Sequence, residues 1–140
     1  MYQMSILESL EIKRQVEELL YKGLICSSTS QCCSTIVLLP KKDGTWRMCV
    51  DYQDLNNITI KNRYPLPIIN DLLDQLKNEN NFTKLDLRSG YHHVRIAEEG
   101  IWKTAFKTKH GLFEWLVLPF GLCNSPATFM SYEWCFKTIY

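Results

Sequence analysis

Early in the chain, apolar residues recur at Ile12, Val16, Leu19 and Leu20, the i, i+4, i+7, i+8 spacing that gathers on one face of an α-helix. Ser5, with Glu8 three residues on, suits a capping box, and Gly23 stands where a left-handed residue ends a helix. The pattern predicts a helix from about Ile6 to Lys22 whose residues serve core packing alone. The period then changes to two. Thr35 to Leu39 is a short β-rich run, Asp43-Gly44 is a hairpin turn signal, and Trp46 to Tyr52 alternates. On that second strand Trp46, Met48, Val50 and Tyr52 share one face and leave Arg47, Cys49 and Asp51 on the other.

Further on, Pro65 and Pro67 hold an extended approach to a second helical stripe, Ile68, Ile69, Leu72, Leu73 and Leu76, with Pro67 at the tolerated first helical position. The stripe is expected to be core. Phe82 to Leu87 reads as a buried strand. Thr104 to Lys109 and Leu112 to Leu118 form a second hairpin around His110-Gly111. Asn124-Ser125-Pro126 then offers N-cap and first-turn chemistry to a helix carrying Phe129, Met130 and Trp134. The order is mixed, an α+β chain, without internal repeat, low-complexity tract or flexible linker.

Composition adds that the 140 residues are one domain's worth and, at 46% hydrophobic and 12% aromatic, are built to fold. A formal net charge of +1 gives no reason by itself to expect nucleic acid, an acidic substrate or a membrane surface as partner. Such a partner must be argued from local clustering. The six cysteines include no C-x-x-C pair, and His92, His93 and His110 show no zinc spacing beside them. Free thiols in a reducing compartment are the expectation. No stretch approaches the ~18 uninterrupted apolar residues of a membrane span. Met1 to Ile6 lacks the basic start of a signal peptide, and Glu8 and Glu11 make a poor transit peptide.

Two features carry candidate chemistry. Lys41 and Lys42 sit at the tip of the first hairpin with Arg47 close behind, which reads either as a solvated turn or as a phosphate-binding tip. Asp86 is a lone carboxylate near the end of an apolar run. An ionised group there needs a partner, and metal binding or catalysis is one way to supply it.

Three blocks of the sequence, KKDGTWRMCVDYQDLN from Lys41, FTKLDLRSGYHHVRI from Phe82 and LPFGLCNSPATF from Leu118, resemble the reverse transcriptases of long-terminal-repeat retroelements, most closely the gypsy type. They stand in that family's order and spacing, over a similarity that runs from about Gln15 to Phe129. The resemblance implies the fingers and part of the palm of a right-hand polymerase fold, over residues 1–140, incomplete at the C-terminus. The Tyr-x-Asp-Asp hairpin of the family does not occur in these residues, nor do its thumb and RNase H regions. The resemblance further implies an RNA-directed DNA polymerase, transferring nucleotides from dNTP to a primer 3′-hydroxyl on an RNA or DNA template by a two-metal mechanism.

Site roles follow from the same resemblance. Lys41, Lys42 and Arg47 would meet the phosphates of the incoming nucleotide, and Asp51 would steady the hairpin. Asp86 matches the first catalytic carboxylate, binding Mg²⁺ together with the backbone carbonyl of Leu87. Tyr91 matches the residue beneath the nucleotide sugar that excludes a 2′-hydroxyl, and Phe120 and Gly121 match the floor of the nucleotide pocket. The chain departs from the family in its Cys26 to Ser34 loop, which is serine- and cysteine-rich where relatives carry prolines. Gln53 replaces a common arginine and His93 a usual glutamine. With Asp86 as the one matching metal-binding carboxylate, the chain alone is expected to be inactive, and a non-catalytic nucleotide- or nucleic-acid-binding module and a retroelement relic are the alternatives. No membrane partner is expected, and the sequence sets no oligomeric state. Similarity to the short homologs encoded in plant mitochondrial genomes makes the mitochondrion the expected compartment.

Overall fold

A computed structural model describes residues 5–66, 68–83 and 89–137, from residue 132 on as backbone alone. The first helix, α1 (Ile6–Tyr21), is closed at both ends by side-chain and backbone caps. Ser5 Oγ accepts from the Glu8 N–H while the Glu8 carboxylate accepts from the Ser5 N–H, the reciprocal capping box that the spacing predicted. At the other end Gly23 (φ +66°) takes the left-handed turn, and the Leu24 and Gly23 amides donate to the Leu19 and Leu20 carbonyls. That pair of bonds is a Schellman motif. Ile12 and Val16 are buried, whereas Leu20 at the end of the stripe is exposed.

Strand β1 (Ile25–Ser27) follows directly, then the hairpin of β2 (Thr35–Pro40) and β3 (Trp46–Asp51), antiparallel with Val37 opposite Cys49 and Leu39 opposite Arg47. The Gly44 N–H donates to the Lys41 carbonyl and Gly44 has φ +79°, so the chain reverses through a turn that glycine adopts without strain. Asp43 Oδ1 accepts from both the N–H and the hydroxyl of Thr45, which draws its carboxyl below the usual range. The expected alternation holds: Val50 and Tyr52 are buried, while Arg47 and Asp51 face solvent.

The second hairpin, β4 (Phe106–Thr108) and β5 (Gly111–Trp115), is shorter than predicted but in the predicted place, and β5 pairs with β1 to give the order β1-β5-β4. A parallel bridge between Ser34 and Phe106 ties the two sheets, with the Ser34 N–H donating to Ala105 and the Lys107 N–H to Ser34. The core lies at this junction and against α1, with Ile12, Ile25, Val50, Tyr52, Phe106, Phe113 and Trp115 in one buried cluster.

Three expectations change. The helix after the prolines, α3 (Ile69–Gln75), has Ile68 as its N-cap, so the helix starts beyond Pro67, which lies outside the described residues. Its stripe is not core. Ile68, Ile69, Leu72, Leu73 and Leu76 are all exposed, because no described element packs on that face. Phe82 and Thr83 form no strand and Phe82 is exposed, while residues 84–88 lie outside the described residues. The last helix, α5 (Ser125–Lys137), takes Asn124 as its N-cap: the Asn124 carbonyl accepts from the Thr128 amide, which places Ser125 and Pro126 in the first turn.

Candidate nucleotide site

The residues expected to form a nucleotide floor come together around a short loop. Gly90–His93 makes one 3₁₀ turn, entered through Ser89 in a left-handed conformation (φ 56°), which orients Tyr91 toward the loop after β5. The Tyr91 ring lies 4.9 Å from that of Phe120 and 5.1 Å from that of Phe129 on α5, the latter edge-on. Phe120 is 59% exposed in spite of these contacts, so the cluster presents an aromatic face to solvent. An exposed ring held by aromatic neighbours offers a face on which a planar group can stack.

Gly121 next to it is held in a conformation, φ +99°, that side chains rarely adopt, and a Cβ there would stand 3.3 Å from the Val50 carbonyl oxygen and 3.5 Å from the Tyr52 ring. The floor therefore packs directly on the base of β3. From Val50 the same strand runs back to Arg47 and the turn, where Arg47, Lys41 and Lys42 are all exposed. No ion pair engages any of the three among the described residues. Exposed cations with no ion pair among the described residues fit a solvated turn and a phosphate-binding tip alike.

Two asparagines fix this loop, Asn56, to which sequence reasoning assigned no role, and Asn124, which it read only as a helix cap. Asn56, on α2 (Gln53–Ile58), donates from Nδ2 to the Gly121 carbonyl at 2.8 Å and accepts at Oδ1 from the Cys123 N–H at 2.8 Å. Asn124 joins the other side, its Oδ1 accepting from the Asn62 N–H and its Nδ2 donating to the Ile60 carbonyl. Asp51, expected to steady the hairpin, instead accepts the first free amide of α2, that of Gln53, at 3.0 Å. Beneath the floor the Tyr52 hydroxyl donates to the Thr104 carbonyl at 2.8 Å, and burial pushes this phenol far above its ordinary pKa. A cavity of about 300 Å³ lies between α2, Val94–Ala97 and the Leu118–Asn124 loop, with Arg95 and Lys103 at its wall, but none of the predicted site residues lines it.

Asp86 and Leu87, the expected Mg²⁺ ligands, lie outside the described residues. Among the described residues no three His, Cys, Asp or Glu side chains gather as a metal set would.

His92 underlies the floor, its ring 5.8 Å from Phe120 and 5.5 Å from Trp115. Neither His92 Nε2 nor Trp115 Nε1 has a hydrogen-bond partner among the described residues. Burial, with His93 and Lys22 adding to it, holds the imidazole below its ordinary pKa. An unfolded chain then takes up the proton first as pH falls. Stability from the neutral imidazole is fully present above the unfolded value near 6.5 and is lost as pH drops through that range toward the depressed folded value. Denaturant midpoints measured downward from neutrality are expected to fall more steeply in the parent than in His92→Phe, and equal slopes would refute this coupling.

A profile of the family described as reverse transcriptase (RNA-dependent DNA polymerase) matches residues 39–133. The chain is 42% identical over 133 residues to the retrovirus-related Pol polyprotein of transposon 297 from Drosophila melanogaster, covering 91% of this chain and 13% of that protein. It is 47% identical over 124 residues to the Pol polyprotein of transposon opus from the same organism, covering 85% and 12%. Among solved structures, the foamy viral protease-reverse transcriptase in complex with an RNA/DNA hybrid is similar with a TM-score of 0.79 at 26% identity, covering 94% of this chain and 18% of that one. The chain thus spans a small part of the length of each of these proteins.

Proposed function

The chain belongs to the reverse transcriptase family, and from that premise we propose that it forms the nucleotide-accepting part of an RNA-directed DNA polymerase, with dNTP and an RNA or DNA template-primer as substrates. The observation that carries the reading is that Gly121, next to the Tyr91–Phe120 ring pair, packs against the base of the hairpin that exposes Lys41, Lys42 and Arg47 at its far end. A base and sugar laid on the Tyr91 and Phe120 rings leave the phosphates to the hairpin. Arginine grips phosphate oxygens bidentately and lysine follows them as a mobile point charge. The nucleic-acid half of the proposal is supported by the foamy viral protein, whose structure holds an RNA/DNA hybrid.

Family membership implies dependence on a divalent metal, and the proposal takes it as Mg²⁺ met by Asp86 and the Leu87 carbonyl. The proposed lineage is the gypsy type of long-terminal-repeat element, supported by the transposon polyproteins it matches. The proposed home is the mitochondrion, on resemblance to the short organelle-encoded homologs, and detection of its peptides in purified organelles tests that part.

Calorimetry with dNTP and Mg²⁺ tests the binding site itself. Weak binding is expected in the parent, with Arg47→Ala weaker by about one to two decades, the worth of charge-assisted hydrogen bonds of roughly 1.5–3 kcal/mol, and Lys61→Ala close to the parent. Added salt weakens the binding too, since an open hairpin tip is poorly shielded from ions. Absence of binding at millimolar ligand, or parent-like affinity in a folded Arg47→Ala, refutes the reading and leaves a solvated tip.

A further inference from the structure

Three hydrogen bonds converge on one side-chain amide, that of Gln15 in the middle of α1. Its Nε2 donates to the Glu11 carboxylate at 2.7 Å and to the Trp46 carbonyl at 2.9 Å, and its Oε1 accepts from the Met48 N–H at 3.0 Å. Only one orientation of the amide serves all three, because two acceptors need its nitrogen and one donor needs its oxygen. Trp46 and Met48 are the neighbours of Arg47 on either side. One edge of β3 pairs with β2, and the other meets in Gln15 a donor and an acceptor placed as a neighbouring strand would place them.

We propose that Gln15 is a positioning residue for Arg47: it pins the backbone on both sides of that residue to α1 and so sets where the guanidinium meets a triphosphate. The inference rests on the nucleotide-binding reading above. A two-stranded hairpin has little stability of its own, and an unpaired edge leaves its twist free to vary. Its tip then holds a fixed place only if its stem is held, and Gln15 holds that stem at the level of Arg47. Glu11 keeps the amide turned the right way. Its carboxylate accepts two bonds from the Arg14 guanidinium, at 2.7 and 3.0 Å, besides that of Gln15. Arg14 first and Gln15 next draw its pKa down to about 2, so its charge stays in place across the working range of pH.

The test uses the 140-residue chain and its Gln15→Ala and Gln15→Glu variants, with amide exchange read at Met48 and dNTP affinity read by calorimetry. In Gln15→Ala, Met48 exchange is expected to rise by about tenfold or more while α1 and β2 keep their protection. Affinity is expected to fall by roughly 3- to 10-fold, the worth of one neutral hydrogen bond. Gln15→Glu accepts from Met48 but, when ionised, gives nothing to Trp46 and repels Glu11. Protonation restores the donor, so its deficit relative to the parent at the same pH is expected to shrink between about pH 7 and about pH 4, across the ordinary glutamate range near ~4.3. Parent-like Met48 protection in Gln15→Ala overturns the proposal. So does lost protection with parent-like affinity, or a Glu-variant deficit that does not change with pH. A parent that binds no dNTP removes the nucleotide-binding reading and this inference with it, whereas a binding parent beside an equally strong Gln15→Ala removes this inference alone.

Discussion

Phe106→Ala is expected to cost about 3–5 kcal/mol of folding stability, the usual effect of emptying an aromatic site in a packed core. Phe106 is fully buried, and its ring lies 6.0 Å from those of both Phe113 and Trp115. Its backbone is also the point where the two sheets touch, through the bridge to Ser34. The lost volume therefore opens at the seam between the sheet that carries Arg47 and the sheet that leads into Phe120. A small domain is stable by only about 5–15 kcal/mol, so this one change removes a large share of it. Phe120→Ala is the contrast. That ring is 59% exposed, and its loss is expected to change stability by less than about 1 kcal/mol while removing the stacking face of the floor. Denaturant midpoints of the two variants decide the matter: a Phe106→Ala within about 1 kcal/mol of the parent would mean that the seam is not the core.

The contrast between those two phenylalanines also marks what the sequence makes legible. Features that depend on near neighbours were readable. The capping box of Ser5 and Glu8, the left-handed Gly23, the Asp43-Gly44 turn and the alternation from Trp46 to Tyr52 each need only a few residues of context, and each stands where it was expected. The apolar stripe of α3 was read correctly as apolar and wrongly as core. Periodicity reports which face of a helix avoids water and says nothing about whether a partner covers it, and here Ile69 and Leu73 are 72% and 60% exposed.

The positioning amides were invisible for the opposite reason. Gln15 reaches across 31 residues to Trp46, and Asn56 across 65 to Gly121. An amide carries both a donor and an acceptor, so it can close a strand edge or clamp a loop, but its own neighbourhood gives no sign of which it does. Asn56 is the last residue of a block that the family resemblance singled out, and that was the one available signal. That Tyr91 and Phe120 belong to one place was legible only through the resemblance. Nothing in the composition around Tyr91 and Phe120 requires their rings to meet at 4.9 Å.

With Mg²⁺ or with Mn²⁺, the 140-residue polypeptide is expected to extend no primed template above background. In-line nucleotidyl transfer uses two ions about 3.5–4 Å apart, one on the attacking and one on the leaving oxygen, and both need carboxylates on a shared wall. The family resemblance offers Asp86 alone as a metal-binding carboxylate, and the described residues assemble no three-donor cluster to replace the others. Losing even one preorganised charge-stabilising group typically costs about 10²–10³ in rate, which places residual turnover below detection in an ordinary gel assay. Binding is a separate matter, because a triphosphate held by Arg47 and the lysines needs no second ion. The informative result is therefore a pair: dNTP binding in calorimetry beside a blank extension gel, with extension appearing in a longer polypeptide that carries a Tyr-x-Asp-Asp segment from a relative. Steady incorporation by the 140-residue chain that disappears in Asp86→Asn would contradict the expectation. It would mean that Asp86 completes a metal centre with carboxylates from a second copy, and activity would then rise with the square of protein concentration at low concentration.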